Sequence, residues 1–576
     1  MNRWAWFTIC VLLGLLLLAG GSLMPAHLCA IEPSVLKRAG ENSSSLTGRG
    51  LELAHIGQFG AAELLSRAAT RTKLPSADEL ASTIQTDVKR YPEQDAWGLS
   101  GVALRPYFGL RPYFPKAPPR VESGTSSFTD FVVREENRTK ALGALSASKQ
   151  PVVQELLRTR ALTNTTTFAP SQSAGGEAFD TAVILTSLLV EQKHITDTLI
   201  NEINSAATQA NRDGNSQPLE QTLLDVLSLG QRFNWGQLIA FVGKIDSAAT
   251  LHAQADLVRA AGDQLPELFS AVELSGNPKG VAAYLQTFHE TGMTDLTAAL
   301  PYNAGGLREL LRSNHRLYIS PWRQVASEYQ PFAAVVSLGA DYNWRMPVFA
   351  LILKWFLYFC GGFLLAMALH FGKPPASDLE APLQVRGFHV AREILFALGF
   401  LLVVLIVSEP FLAQEKPAAA LPFQLRVPMA GSAVQSGSTH TKTTFMDKSN
   451  LLPMLLFFVL QALLYVACIV KLAEIQRQRV GPRVKLKLLE NEDHLFDGGL
   501  YLGFLGTIVS FIVYSVYAHQ QFSLMVAYSS TSFGILFVSF FKIFHLRPVR
   551  RRLLLEAEAE SPVVATTTTA PSLATP

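Results

Sequence analysis

Scanning the chain for stretches of roughly 20 residues with few or no charges, the length a helix needs to cross a ~30 Å hydrocarbon layer, finds six runs. They lie near 4–24, 346–371, 394–412, 451–470, 498–518 and 523–544. Between the first two, from about 126 to 316, the pattern changes. Val, Ile, Leu and Ala recur every three or four residues, as in Phe179–Ala206 and Leu219–Leu229, with Pro and Gly between the stretches. That is the period of amphipathic helices. Short pieces such as Leu265–Leu274, Val281–Phe288 and Leu307–Leu311 read as helix pairs, either a short solenoid or an irregular bundle. The expected fold is all-α: a polytopic helical membrane protein with a large extracytoplasmic α-helical domain.

Composition supports this division. The chain is 49% hydrophobic and 16% charged over 576 residues, against roughly 25% charged for an ordinary soluble chain. Of the four cysteines, Cys10 and Cys29 lie in or just after the first run, and Cys360 and Cys468 lie within later ones. A disulfide framework in the large domain is therefore excluded, and an apolar core must hold it.

The first run has Arg3, the apolar stretch Trp4–Leu18 and the small residues Ala19–Ser22. It reads as a signal peptide or an N-terminal anchor helix over 1–30. Basic residues then orient the rest, because short basic loops stay cytoplasmic. Lys471, Arg477, Arg479, Arg483, Lys485 and Lys487 mark one inner loop, and Lys542 with Arg547 and Arg550–Arg552 another. Lys373, Arg386 and Arg392 mark a third. Alternation places 31–345 and the 413–450 loop outside, the second with four basic residues of its own. Two tethering helices occupy 346–412, a three-helix core 451–545, and a basic, then disordered, cytoplasmic tail 546–576. The expected location is the inner, or cytoplasmic, membrane of a cell envelope.

No catalytic constellation is visible. His55, His194, His252 and His289 lack metal-ligand spacing, and no HExxH, Gly-x-Ser-x-Gly or Walker loop occurs. An enzyme, a metal, a cofactor and a nucleic-acid partner are all unexpected. The tandem Leu-Arg-Pro-Tyr-Phe and Gly-Leu-Arg-Pro-Tyr-Phe at Leu104–Phe114 reads as an extended aromatic segment, either docking a partner or packing on its own domain. Lys354 is expected to snorkel to the outer surface, and Glu409 and Asp497 to be solvated at helix ends.

The last helices hold the candidate site. Gly503, Thr507, Ser510 and Tyr514 fall at i, i+4, i+7 and i+11 of one apolar helix, with Gly506 beside them. The next carries Tyr528, Thr531, Ser532 and Gly534. Small and polar stripes turn from lipid, to pack on another helix or to line a polar interior. Thr507 lies ~15 Å from the inner end of its helix and Thr531 ~12 Å from the outer end of the next, so both hydroxyls sit near mid-membrane.

This segment resembles the MotA/TolQ/ExbB proton-channel family. Its middle helix typically reads Gly-Leu-Leu-Gly-Thr-Val, matched by Gly503–Ile508, and its last Thr-Ala-Leu-Gly-Leu, matched by Thr531–Ile535. The resemblance covers the last three helices and implies a homo-oligomeric ring around a single-span membrane partner bearing an intramembrane aspartate, with the matched threonines lining the pore. Three departures exist. Val526 replaces the glutamate of ExbB-type members, no proline follows the glycine, and the segment joining the first two family helices is short. The expected function is a proton- or sodium-conducting, stator-like subunit. The alternative is a non-conducting envelope scaffold whose 31–345 domain binds a protein or cell-wall ligand.

Overall fold

The computed structural model describes residues 3–90, 97–99, 104–108, 127–372, 388–411, 448–516 and 524–559. They are helical almost throughout. One two-residue parallel pair, Ala30–Ile31 with Arg316–Leu317, is the sole sheet among them. Contacts divide the chain into two compact units.

One unit is formed chiefly by Cys29–Arg345. Its helices start where the sequence supplies caps: Ser45 accepts from the Gly48 amide, Thr196 from Leu199 and Ser247 from Thr250. Asn234 and Gln237 form a reciprocal capping box. Gly214 and Gly276 end two helices in the left-handed conformation that a Cβ disfavours. At the centre, Glu177–Glu191 is buried from Phe179 to Val190. A helix apolar all round belongs inside a core. Trp235, Phe233, Phe241 and Phe269 are buried around it, with ring centroids 5.2–5.9 Å apart among the three phenylalanines.

The helices are unequal in length, from four residues at Arg105–Phe108 to 17 at Asp197–Asp213, and Pro278–Ala299 is broken by a kink at His289; no fixed repeat emerges among the described residues. Burial also decides the first Arg-Pro-Tyr-Phe unit. Arg105–Phe108 is one helical turn, not extended chain, because Phe108 is buried against Phe131 at 5.1 Å and Phe128 at 6.4 Å. The second copy lies outside the described residues.

The other unit holds the apolar helices α1 (Arg3–Leu23), α2 (Pro347–Gly372), α3 (Phe388–Ser408), α4 (Lys448–Arg477), α6 (Gly498–Val516) and α7 (Leu524–Phe540), with the charged helices α5 (Pro482–Asn491) and α8 (Arg547–Ala559). Among the described residues four helical stretches are long and apolar enough to cross a membrane: Trp4–Leu23, Pro347–Gly372, Phe457–Arg477 and Tyr528–Ala559. Gly498–Ile508 adds a shorter apolar stretch.

α1 packs along α2 through glycine. A Cβ on Gly14 would sit 3.2 Å from the Gly361 carbonyl oxygen, one on Gly361 3.1 Å from that of Gly14, and one on Gly21 2.9 Å from the Tyr358 ring. Small residues allow such backbone approach between apolar helices.

Two expectations change here. The 471–497 stretch is no open loop: α4 runs to Arg477, α5 follows, and Asp493–Phe496 adds a helical turn. Part of the stretch expected to be disordered is also helical. α8 is helical to Ala559, because Leu553 and Ala557, four residues apart, are buried on one face. Leu553 belongs to a cluster with Leu472, Ile475, Leu489, Phe496 and Phe541. A π-helical turn, Phe541–Leu546, joins α7 to α8. The expected loops at 373–387 and 413–447, and the tail from 560, lie outside the described residues.

Candidate functional site

α6 and α7 meet along a seam of small residues. A Cβ on Gly503 would lie 2.9 Å from the Ser530 carbonyl oxygen and 3.1 Å from Thr531 Cα. One on Gly534 would lie 2.5 Å from the Gly499 oxygen, and one on Gly506 would run into Ser530 Oγ. Every heavier side chain at these glycines forces the backbones apart.

This close approach brings the two threonines together. Thr507 Oγ1 and Thr531 Oγ1 are 2.6 Å apart, and the Gly503 carbonyl oxygen accepts from both, at 3.1 Å and 3.3 Å. A hydroxyl has a single proton, so at any instant one threonine donates to the other, which donates to Gly503. Both side chains are half-buried.

Of the remaining sequence candidates, Ser532 points elsewhere, donating to the Tyr528 oxygen at 2.9 Å. Tyr528 itself is exposed. The side chains of Ser510 and Tyr514 lie outside the described residues, as does that of Val526.

The seam also contains residues that the sequence reading missed. Gln461, on α4, is buried and donates through Nε2 to the Gly499 oxygen at 3.0 Å. Among the described residues its Oε1 has no hydrogen-bond partner, and neither has Ser530 Oγ. Buried polar atoms are nearly always bonded, so both atoms mark polar capacity that the described residues of the seam leave unused. A cavity of about 10 Å³ beside Gln461, bounded by Gly499, Tyr465 and Val538, approaches the volume of one water. The signal available was a lone glutamine in the apolar run 454–467.

At the α7 end of the seam, Tyr465 and His545 are bonded at 2.9 Å. Lys542 reaches Asp497 at 2.7 Å. Among the described residues no acidic side chain lies within α6 or α7 themselves; Asp497 stands just before α6.

A second polar cluster joins α1, α2 and α3. Lys354 Nζ donates to the Ala26 oxygen at 2.6 Å and to Glu409 Oε1 at 2.9 Å. Glu409 Oε2 accepts from the Leu28 amide at 2.8 Å and lies 3.5 Å from His27 Nδ1. The lysine therefore does not snorkel, and Glu409 is not left to headgroups and water. Each neutralises the other inside the unit. Among the described residues no group of three or more His, Cys, Asp or Glu side chains is arranged to hold a metal.

No family model, curated protein or solved structure matches this chain.

Proposed function

We propose that α4, α6 and α7 are the core of an ion-conducting, stator-like subunit. Copies of it assemble into a ring and line a proton or sodium path with a single-span partner that supplies an intramembrane aspartate. In this reading the protein sits in the inner membrane of a cell envelope. Cys29–Arg345 is exported and couples to an envelope protein or the cell wall.

The observation that carries the reading is the Thr507–Thr531 pair on adjoining helices, each in its place in the Gly-x-x-Gly-Thr and Thr-x-x-Gly sequences. Gln461 Oε1 and Ser530 Oγ, buried and unbonded among the described residues, add to it, since they extend the polar seam beyond the two hydroxyls. In this reading the titrating group is the partner's aspartate, since neither α6 nor α7 carries an acidic residue.

The test is Thr507→Val with Thr531→Val in the full chain, purified with whatever membrane partner accompanies it. Native mass in detergent reads assembly, and ion flux in proteoliposomes reads conduction. The channel reading expects unchanged assembly and a flux loss of tenfold or more. Undiminished flux removes the threonines from any ion path.

A specific observation favours the scaffold as second reading: the hydroxyls close on each other and on Gly503, the satisfaction that plain helix packing requires. On that reading the double valine variant keeps both assembly and cellular function.

A further inference from the structure

The helices Pro321–Ser327 and Phe332–Arg345 close the Cys29–Arg345 unit and carry its most apolar exposed surface. Phe332–Arg345 has two apolar faces. Val336 and Ala340 are buried inward, 5% and 2% exposed. Phe332, Val335, Leu338 and Tyr342, spaced by three, three and four residues, point outward at 48%, 43%, 70% and 37% exposure. The preceding segment continues the pattern with Trp322, Val325 and Tyr329, each more than half exposed.

Most charge is turned away from this surface. Arg323 pairs with Glu32 at 2.7 Å in a nearly closed site, and Asp341 pairs with Arg38 at 2.8 Å. Arg345 projects at the very end of the helix, 63% exposed at its side chain. Glu328, between the two helices, is an exposed acid. An apolar stripe carrying Trp and Tyr with an arginine at its end is the make-up of a helix lying in the headgroup layer. A water-facing surface rarely carries so continuous an apolar patch.

Chain continuity names the occupant. Only Met346 separates this helix from α2, one of the four membrane-length apolar stretches. The Phe332–Arg345 helix therefore ends one residue before a membrane-length apolar stretch starts. Its buried face packs on Pro33–Gly40, a helix that starts ten residues after α1, another such stretch, has ended.

We propose that Pro321–Arg345 is a bilayer-docking collar. Its outward face of Phe332, Val335, Leu338 and Tyr342 is immersed in the headgroup and upper acyl region of a phospholipid membrane. The inference is independent of ion conduction.

The test places a nitroxide at Leu338→Cys or at Ser337→Cys, the exposed residue beside it on the polar side. Each is made in the full chain, reconstituted in nanodiscs of phosphatidylethanolamine and phosphatidylglycerol. Collision with oxygen and with a water-soluble nickel chelate is measured against the parent chain taken through the same labelling. Lipid docking expects an oxygen-to-nickel collision ratio several-fold higher at 338 than at 337. Equal ratios overturn the proposal by showing that the face is in water. A label at 338 shielded from both reagents overturns it too, because protein, a second copy or another partner, then covers the face.

Discussion

Lys354 and Glu409 form an ion pair of 2.9 Å with side chains 1% and 0% exposed, joining α2 to the residue just past the end of α3. Two opposite charges so deeply withdrawn stabilise a fold only as a pair, since either alone is left uncompensated in a poor solvent for charge. Lys354→Met or Glu409→Leu alone is expected to cost about 3–5 kcal/mol. The double variant should regain much of that. Thermal unfolding of the four proteins in detergent closes the cycle, and additive losses would show that the pair does not act as a unit.

The same cluster bears on the N-terminal segment. Ala26 and Leu28 supply a carbonyl and an amide to Lys354 and Glu409, and α1 lies against α2 through Gly14 and Gly361. Removal of the first 30 residues strips all of these. The mature protein is therefore expected to keep α1. Intact mass of material purified from membranes checks this, and a species starting near Ile31 would contradict it.

Glycines set the α6–α7 distance. Gly534→Leu places a branched side chain where the Gly499 carbonyl oxygen stands at 2.5 Å from a bare Cβ. Overpacking of this kind costs about 1–3 kcal/mol or more. The expected outcome is separation of Thr507 from Thr531 and, if the ring proposed above forms, a lower native mass, whereas Gly399→Leu, where a Cβ meets nothing within 4 Å, should be tolerated. Native mass distinguishes the two.

In the Cys29–Arg345 unit, Glu220 accepts from the backbone amides of Thr166, Thr167 and Phe168 and from Ser216 Oγ. Burial pushes its carboxyl up, but these four donors outweigh it and hold the group below the ordinary glutamate range. A depressed folded-state value stabilises the fold above the unfolded pKa, about 4.3. That contribution fades as pH falls through the folded value. Glu220→Gln should cost about 1–3 kcal/mol at neutral pH and flatten the acid limb, as pH-dependent thermal unfolding would register. An unchanged acid limb would mean that the nest around Glu220 adds nothing.

What the sequence made legible follows the range of each signal. The helical character and the apolar spans rest on local periodicity and run length, and both can be read from neighbours along the chain. The Lys354–Glu409 pair cannot, because its partners arrive from the ends of different helices and their mutual neutralisation exists only after packing. Gln461 was hidden for the same reason: one amide in an apolar run looks incidental until Gly499 comes within 3.0 Å. Leu553 and Ala557 failed differently. Composition marked the region as solvating, yet two apolar positions one turn apart sufficed once α5 offered a surface.

The wide turn at Phe541–Leu546 sets the orientation of everything beyond it. From Leu524 to Ala559 the backbone runs as one rod of roughly 50 Å at 1.5 Å per residue, longer than a bilayer's apolar thickness. Because a π turn takes up one residue more than an α turn, it swivels the distal segment by about 100° relative to an unbroken helix. That offset aims Leu553 at its buried cluster with Leu489 and Phe541, so the register of α8 depends on a single extra backbone residue upstream of it.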